Sequence, residues 1–432
     1  MATEHLQQTS QPPACGQADE VIDPHWRRTL WAVWFANLLA AVGFSFVMPF
    51  LPLFVRDLGV ADERMVSSYS GVAMFAAGMS LTIFQPIWGS LADRYGRKLM
   101  LQRAMFGGAI TIALMGFSQT IWQLVIFRFM QGALTGTGSA CNTMVASVTP
   151  RKHLGAAMGL LQTGLIVGNA AGPWMGGVVA DTYGYRIPFF VCGALWAISG
   201  FVVLFFTTEQ RVRPEERGNG NHGLREVFGR GGLAALLSAF FLSAFAVTFV
   251  GPIFPLFVEQ IAQTDRAATV TGQLMAVGGI ASGLACIVVG RLADRIGHRR
   301  VLVVANAGSA FFSIPHAFAQ SIGQLFGLRV GWGLIAGGGG PAMNAMIGAS
   351  VSPDTLGRTF GITTSAMCLG FALGPLVGGF MASGMGMRLP FIVMGILQLI
   401  CALLIALFVR PKGHLEVERT SEDADEEPIA AK

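Results

Sequence analysis

Charged residues are scarce in this sequence, and their scarcity argues against most classes of protein. Asp, Glu, Lys and Arg make up 12% of the 432 residues, whereas hydrophobic residues make up 53% and the mean hydropathy is +0.58. A water-soluble domain carries about 25% charged residues. The composition is therefore untypical of a soluble enzyme or a nucleic-acid-binding domain, despite the net charge of +5.

Groups that could support catalysis or metal binding are also missing. The six cysteines show no Cys-x-x-Cys or Cys/His spacing, and none of the 24 acidic residues lies deep in an apolar run. Those runs contain no HExxH motif, no paired acids and no serine–histidine arrangement. We therefore expect no enzymatic activity, no catalytic residues, no metal site and no cofactor.

Long apolar runs are what the sequence has instead. A bilayer-crossing helix needs about 20 apolar residues. Twelve such runs occur, near residues 30–55, 69–91, 100–119, 121–146, 155–180, 187–207, 233–258, 269–290, 301–319, 323–348, 358–382 and 388–409. They predict an all-α membrane protein with twelve transmembrane helices in two six-helix bundles. The predicted regions are a cytoplasmic N-terminal tail (1–28), an N-terminal bundle (29–207), a cytoplasmic linker (208–232), a C-terminal bundle (233–410) and a disordered cytoplasmic tail (411–432).

The basic residues predict the orientation of the chain. If the N-terminus is cytoplasmic, 22 of the 29 Lys and Arg residues fall in inner segments and five in outer segments, and the remaining two, Arg128 and Arg329, lie within spans. Such an excess of basic residues is typical of cytoplasmic loops. We expect a multi-pass protein of the cytoplasmic (inner) membrane with both termini in the cytoplasm.

The two halves of the sequence repeat each other at an offset of 201 to 203 residues. Residues 48–55 (MPFLPLFV) match 251–258 (GPIFPLFV), residues 89–96 match 290–297, and Arg128 matches Arg329. Six spans separate the copies, and six is an even number, so both halves enter the membrane in the same direction. This arrangement predicts a pseudo-symmetric cleft between two bundles and favours a secondary transporter.

Three motifs identify a family. They are the loop 89–98 (GSLADRYGRK), the glycine–proline stretch 168–177 (GNAAGPWMGG) in span five and the element 128–132 (RFMQG) in span four. On these motifs the chain resembles the major facilitator superfamily, and specifically its twelve-span drug:proton antiporters, such as multidrug-resistance and tetracycline exporters. The resemblance covers essentially residues 25 to 410.

The first two motifs predict the moving parts of such a transporter. Glycines allow tight turns and close helix contacts, and the loop acids and bases can hold the cytoplasmic side shut. The predicted gating or conformational residues are Gly89, Asp93, Arg94, Gly96, Arg97, Asp294, Arg295, Gly168, Gly172, Pro173 and Gly176. Two alternatives stay open: the basic residues serve topology alone, or the glycine stripe is ordinary helix packing.

The carrier of the proton is less well defined by the sequence. The resemblance links Arg128 to proton transfer, although this side chain could instead extend to the membrane surface. The other predicted proton-coupling residues are Asp57 and Asp181, at outer ends of spans. Glu259 and His316 are further candidates, and His316 could equally be a packing residue.

The resemblance also implies a central cavity lined by spans one, four, seven and ten. The predicted substrate-cavity residues are Asn37, Phe44, Gln131, Asn142, Phe245, Trp332 and Asn344. Each aromatic residue among them could instead face lipid or the core. We expect proton-coupled efflux of drugs or other amphipathic molecules by a monomer in the lipid bilayer, with the proton gradient as energy source and no nucleic-acid partner. The alternative is a transporter of a small metabolite such as a sugar.

Overall fold

The computed structural model describes residues 25–208, 231–340, 342, 343, 346 and 353–409. Most of the predicted linker and both predicted tails lie outside the described residues. The side chains of Asp93 and Asp294, two predicted gating residues, also lie outside the described part of the chain, as does the predicted cavity residue Asn344.

Every regular element among these described residues is an α-helix, as expected for a chain that must satisfy its backbone hydrogen bonds within a bilayer. The helices are α1 (Trp26–Phe46), α2 (Leu51–Asp57), α3 (Glu63–Tyr95), α4 (Arg97–Gly116), α5 (Ile121–Leu134), α6 (Thr137–Val148), α7 (Arg151–Tyr183), α8 (Ile187–Phe206), α9 (Gly231–Phe249), α10 (Phe254–Ala262), α11 (Ala267–Ile296), α12 (His298–His316), α13 (Ile322–Ala336), α14 (Pro353–Met385) and α15 (Leu389–Phe408).

These helices account for the twelve predicted spans, some of which are interrupted. Nine stretches of the described residues are long and apolar enough to cross a membrane. Spans one and seven each bend where α1 gives way to α2 and α9 to α10, beside the repeated prolines, which lack an N–H for the helix ladder. Span four divides into α5 and α6 at Gly136, which has a φ of +104°.

The tight turns after α3 and α11 show the repeat at the backbone level. Gly96 and Gly297 join these helices to the following ones with φ values of +105° and +91°, a conformation that favours glycine. Thr120 and Ser321 cap α5 and α13 in the same way, each accepting a hydrogen bond from a glutamine backbone N–H three residues later at 3.3 Å.

Each half has its own apolar core. In the N-terminal half, Trp196 of α8 is among the largest fully buried side chains. Gly43 and Gly108 lie against its indole ring, and a Cβ at Gly43 would come within 2.7 Å of that ring. In the C-terminal half, Leu302 and Cys401 belong to one core cluster and other apolar residues to a second.

The predicted glycine stripe of α7 packs inside the N-terminal half. A Cβ at Gly172 would lie 2.6 Å from the Val42 carbonyl oxygen of α1, and Gly168 and Gly176 also face α1. The matching Gly374 of α14 faces Phe245 of α9 at 2.5 Å. Gly168, Gly172 and Gly176 therefore serve helix packing within the N-terminal half in this conformation, whereas the carbonyl of Pro173, the other predicted residue of the stretch, lies against Gly272 of the C-terminal half.

The bundle has two faces, which we name by the chain ends. The terminal face carries the beginning of α1 and the end of α8, where the hydroxyl groups of Thr29 and Thr208 lie 3.2 Å apart. The far face carries α2, α10 and the connections near them. There, the ring of Tyr185 stacks on Phe50, with 6.3 Å between the ring centroids.

Candidate transport site and gates

Two seams join the halves, one between α3 and α14 and one between α7 and α11. Small residues let the backbones approach closely along both seams. In the first seam, a Cβ at Gly71 would lie 2.5 Å from the Pro375 carbonyl oxygen. In the second seam, Gly177 faces the Ala268 carbonyl, and a Cβ at Gly279 would lie 3.2 Å from the Ala170 Cα. Within the predicted motif 168–177, Gly177 and the Pro173 carbonyl therefore contact the opposite half, and Gly168, Gly172 and Gly176 do not.

The seams are closed toward the far face and loosen toward the terminal face. Gly89 of α3, and Gly155 and Gly159 of α7, have no atom within 4 Å of an added Cβ. All three residues are exposed, whereas glycines nearer the far face on the same helices are tightly covered. The halves are therefore packed together at the far face, and these glycines nearer the terminal face on the same helices have no such cover.

A bidentate ion pair crosses the far face. The Arg56 guanidinium of α2 donates to both carboxylate oxygens of Glu259 in α10, at 2.9 Å and 2.7 Å. About a third of each side chain is exposed. The hydrogen bond to Glu259 raises the pKa of Arg56 above its ordinary value. The two residues occupy matching positions of the repeat, 203 residues apart, so the pair joins the halves about their symmetry axis.

Two further hydrogen bonds hold the same face. The Asp181 carboxylate of α7 accepts a 2.7 Å hydrogen bond from the Thr269 backbone N–H, near the first turn of α11 in the other half. A carboxylate there is favoured by the helix dipole. In the other seam, the Ser67 hydroxyl donates to the Gly379 carbonyl at 3.1 Å. Asp181, predicted as a proton-coupling residue, thus acts as a cross-half helix cap in this conformation.

A cavity of about 250 Å³ lies between the halves, next to these contacts. The described residues of its lining are mostly apolar, and one of them is charged. The lining residues are Met48, Met74, Val247, Val250, Gly251, Phe254, Pro255, Met275, Gly278, Gly279, Ser282, Arg329 and Trp332. The methionines come from both halves, and thioether side chains adapt to ligands of different shape. This cavity is the candidate substrate site.

Arg329 is the charged residue of the cavity. Its guanidinium carbon lies 3.9 Å from the centroid of the Phe254 ring and 5.5 Å from that of Trp332. Its Nε atom is buried without a partner. Behind it, a small void is lined by residues that include His316, whose Nδ1 lies 2.7 Å from the Phe312 carbonyl oxygen. The sequence shows Arg329 as a span arginine, but its place in the cavity was not predicted.

Arg128, the repeat counterpart of Arg329, is enclosed within the N-terminal half. It is 3% exposed, and its guanidinium donates to Gln131 Oε1 at 3.1 Å. Two of its nitrogen atoms are buried without partners. The alternative that Arg128 extends to the membrane surface is therefore wrong for this conformation. Asp57, another predicted proton-coupling residue, is exposed at the end of α2.

The chain is similar to known proteins over most of its length. The family model described as Major Facilitator Superfamily matches residues 33–286 and 236–431. The Multidrug resistance protein MdtG of Dickeya zeae (strain Ech586) is 35% identical over 408 residues, which cover 94% of this chain and 100% of the relative. The protein of the same name from Proteus mirabilis (strain HI4320) is 35% identical over 371 residues, covering 85% and 92%.

The chain belongs to the major facilitator superfamily. Solved structures support the fold: the D-xylose-proton symporter superposes with a TM-score of 0.73 at 15% identity, covering 89% of this chain and 98% of the symporter. A bacterial homolog of the human lysosomal transporter Spinster, inward-facing and occupied, gives 0.72 at 15% identity, covering 89% and 97%. The predicted family and the all-α membrane fold are confirmed.

The superfamily loop motif lies on the terminal face, where it caps a helix. The Lys98 ammonium donates to the carbonyl oxygens of Leu204 and Thr207 at the end of α8, at 3.0 Å and 2.6 Å. In the second copy, Arg299 donates to the carbonyls of Ile405 and Ala406 at the end of α15. Basic side chains near the last carbonyls of a helix stabilise it. This role, shared by both copies, was missed in the sequence.

The other predicted residues of the loop motif are placed as follows. Gly96 forms the turn with its positive φ. Arg94 is exposed beside the ring of Tyr95, 5.5 Å from its centroid, and Arg295 is exposed as well. Arg97 is partly exposed at the start of α4. The described hydrogen bonds of Lys98 lie within the N-terminal half.

Of the predicted substrate residues, Trp332 lines the cavity. Asn37 does not, because it is 1% exposed and donates to the Leu161 carbonyl at 3.2 Å, which ties α1 to α7. The side-chain oxygen of Gln131 accepts the hydrogen bond from Arg128 within the N-terminal half. The other described candidates are placed differently: Phe44 is 46% exposed on α1, Asn142 is partly exposed on α6, and Phe245 packs between Phe241 and Phe249.

Proposed function

We propose that this protein is an exporter of the cytoplasmic membrane, with both termini in the cytoplasm, which exchanges amphipathic small molecules for protons by alternating access. The relatives named multidrug resistance proteins support the export of drugs, since they are 35% identical over most of both chains. The excess of basic residues in the segments of the terminal face supports the orientation.

The difference between the two faces of the bundle is the observation that supports alternating access. The halves are tied at the far face by Arg56–Glu259 and Asp181–Thr269, while the seams loosen toward the terminal face beside an apolar cavity. In the proposed orientation this is a conformation that admits substrate from the cytoplasm. Export then requires these far-face bonds to break and the terminal face to close, which is the rocking motion of two repeats around a fixed site.

The position of the far-face acids bears on how protons are used. Glu259 and Asp181 make their hydrogen bonds as carboxylates when the far face is closed. A residue that carries a proton inward must hold it while the far face closes. Protonation of these acids would weaken that closure, so we assign them to the gate and not to the carrier. Arg128, with two unpartnered buried nitrogen atoms, stays the proposed element of the proton path.

Purified protein in sealed vesicles tests the proposal. We expect a fluorescent amphipathic drug to move against its gradient when a pH gradient is imposed, and this movement to stop when a proton uncoupler is added. Vesicles without protein control for passive partition of the drug, and Arg300→Gln, a change at an exposed residue of α12, is the matched protein control. Movement of no drug under any gradient would contradict the proposal, and uncoupler-insensitive sugar uptake would favour the metabolite alternative.

A further inference from the structure

The two span arginines occupy matching positions but differ in one neighbour. Arg128 and Arg329 are 201 residues apart, and the same offset carries Gln131 onto Trp332. Gln131 offers Arg128 an amide oxygen at 3.1 Å. An indole has an N–H donor and no acceptor, so Trp332 cannot replace that bond. The exchange of glutamine for tryptophan leaves the second arginine without its protein acceptor.

Arg329 also differs from Arg128 in access. It lines the cavity between the halves, whereas Arg128 is not among the described residues of that lining. Among the described residues, none accepts a hydrogen bond from Arg329, and its near neighbours are the faces of Phe254 and Trp332. A charge inside a span is costly unless it meets a partner or water, and it marks a functional site by default. The partner of Arg329 must therefore reach it from the cavity.

We propose that Arg329 binds the acidic group of an amphipathic substrate whose apolar body lies among the methionines and Trp332. The inference rests on the proposed function, because it assigns a substrate class to the same cavity. A guanidinium presents a planar fork of donors that matches a carboxylate, sulfonate or phosphonate in a bidentate arrangement. Met48, Met74 and Met275 supply an adaptable apolar surface from both halves.

The charge of the lining decides against a cationic substrate. The lining of the cavity, as far as it is described, contains no carboxylate, so a bound cation would face Arg329 without compensation. Two uncharged polar side chains share the described lining: the Ser282 hydroxyl already donates to the Gly333 carbonyl at 3.1 Å, whereas the Trp332 indole N–H is buried without a partner. Arg329 therefore supplies the charge that recognises an acidic group, and the Trp332 N–H beside it is a donor and not an acceptor.

A matched pair of dyes tests the proposal at equilibrium. The probes are 8-anilinonaphthalene-1-sulfonate and N-phenyl-1-naphthylamine, which share one aromatic body and differ by the sulfonate. Binding to the protein in lipid nanodiscs is followed by energy transfer from tryptophan, with empty nanodiscs subtracted. We expect Arg329→Gln to weaken binding of the sulfonate at least about tenfold and to change binding of the neutral dye less than about twofold. Arg329→Lys keeps the charge and should retain most of the sulfonate affinity.

The remaining outcomes overturn the proposal. Equal losses for both dyes would show that Arg329 only shapes the cavity, and unchanged binding of both would show that it does not contact the ligand. Arg300→Gln is the control, since it removes an exposed arginine outside the cavity. Because this experiment uses no gradient, failure of proton-driven export in vesicles would leave a sulfonate preference intact. Loss of that preference with intact export would overturn only the assignment of Arg329.

Discussion

The two six-helix halves place related residues at matched backbone positions and give them different partners. In the N-terminal half, Arg128 is 3% exposed and bonded to Gln131. In the C-terminal half, Trp332 stands in place of the glutamine, and Arg329 lines the cavity between the halves. The two halves have similar backbones, and one side-chain difference between them leaves Arg128 bonded to a glutamine and Arg329 at the cavity without an acceptor among the described residues.

At the far face, too, matched positions of the two halves carry different side chains, and there the difference joins the halves. Arg56 and Glu259 stand at one repeat position and have opposite charges. Two identical ionised residues at a symmetry axis would repel each other, whereas this pair attracts. The helix-capping side chains Lys98 and Arg299 show the opposite case, since both halves need a cation at the same helix end. The matched residues of the ion pair therefore differ in charge between the halves, whereas the matched capping residues both carry a cation.

The largest expected effect comes from filling the seam between the halves. Gly177→Ala places a methyl group against the Ala268 carbonyl, so the far face cannot close. We expect drug export from vesicles to fall at least about tenfold, which corresponds to about 1.4 kcal/mol. The control is Gly323→Ala, at an exposed glycine of α13 with open space around its Cβ. Equal export by the two variants would contradict the assignment of this seam.

The next largest effect comes from the ion pair. Arg56→Ala or Glu259→Ala should weaken closure of the far face by about 1 kcal/mol, because the pair is partly exposed to solvent. The exchange Arg56→Glu with Glu259→Arg should restore closure, since the residues are related by the repeat. The measurement is maleimide labelling of Ser67→Cys, which lies buried in the far-face seam. Labelling that is equally fast in the single and exchanged variants would refute the pairing.

We next expect a loss of stability when Arg128 loses its hydrogen-bond acceptor in the N-terminal half. Gln131→Ala removes the described acceptor of the buried Arg128. Leaving a buried charged donor without a partner costs about 1 to 3 kcal/mol, so the midpoint of thermal unfolding in detergent should fall. Gln162→Ala, at an exposed glutamine of α7, is the control. An unchanged midpoint in Gln131→Ala would mean that water or lipid satisfies Arg128 instead.

The smallest effect is expected at the capped helix end. Lys98→Gln removes a cation from the last carbonyls of α8, which is worth about 0.3 to 1 kcal/mol. Amide hydrogen exchange of the last turn of α8 should become faster, while exchange at its middle stays the same. Lys152→Gln, at an exposed lysine of α7, should leave both rates unchanged. No difference between these two variants would exclude the capping role.

The fold was largely predictable, and the site only in part. Trp332, predicted as a substrate-cavity residue because of the span in which it lies, lines the candidate cavity. Asn37 does not, since a polar residue in a span can bond to a neighbouring helix as readily as face a cavity. The sequence repeat also contains a difference that distinguishes the two arginines. Aligning Gln131 with Trp332 would have marked Arg329 as the arginine without an acceptor.

The sequence by itself determined the number of spans, the repeat, the helix breaks and the family, because hydrophobic length, proline and glycine act locally along the chain. Only the tertiary structure decided which face of α7 meets which half, which acid pairs with Arg56 and which arginine lines the cavity. Adjacent glycines look alike in a sequence, but Gly176 faces α1 and Gly177 faces α11. One residue turns a helix by about 100°, so the choice between packing and gating depends on neighbours that the chain brings together only on folding.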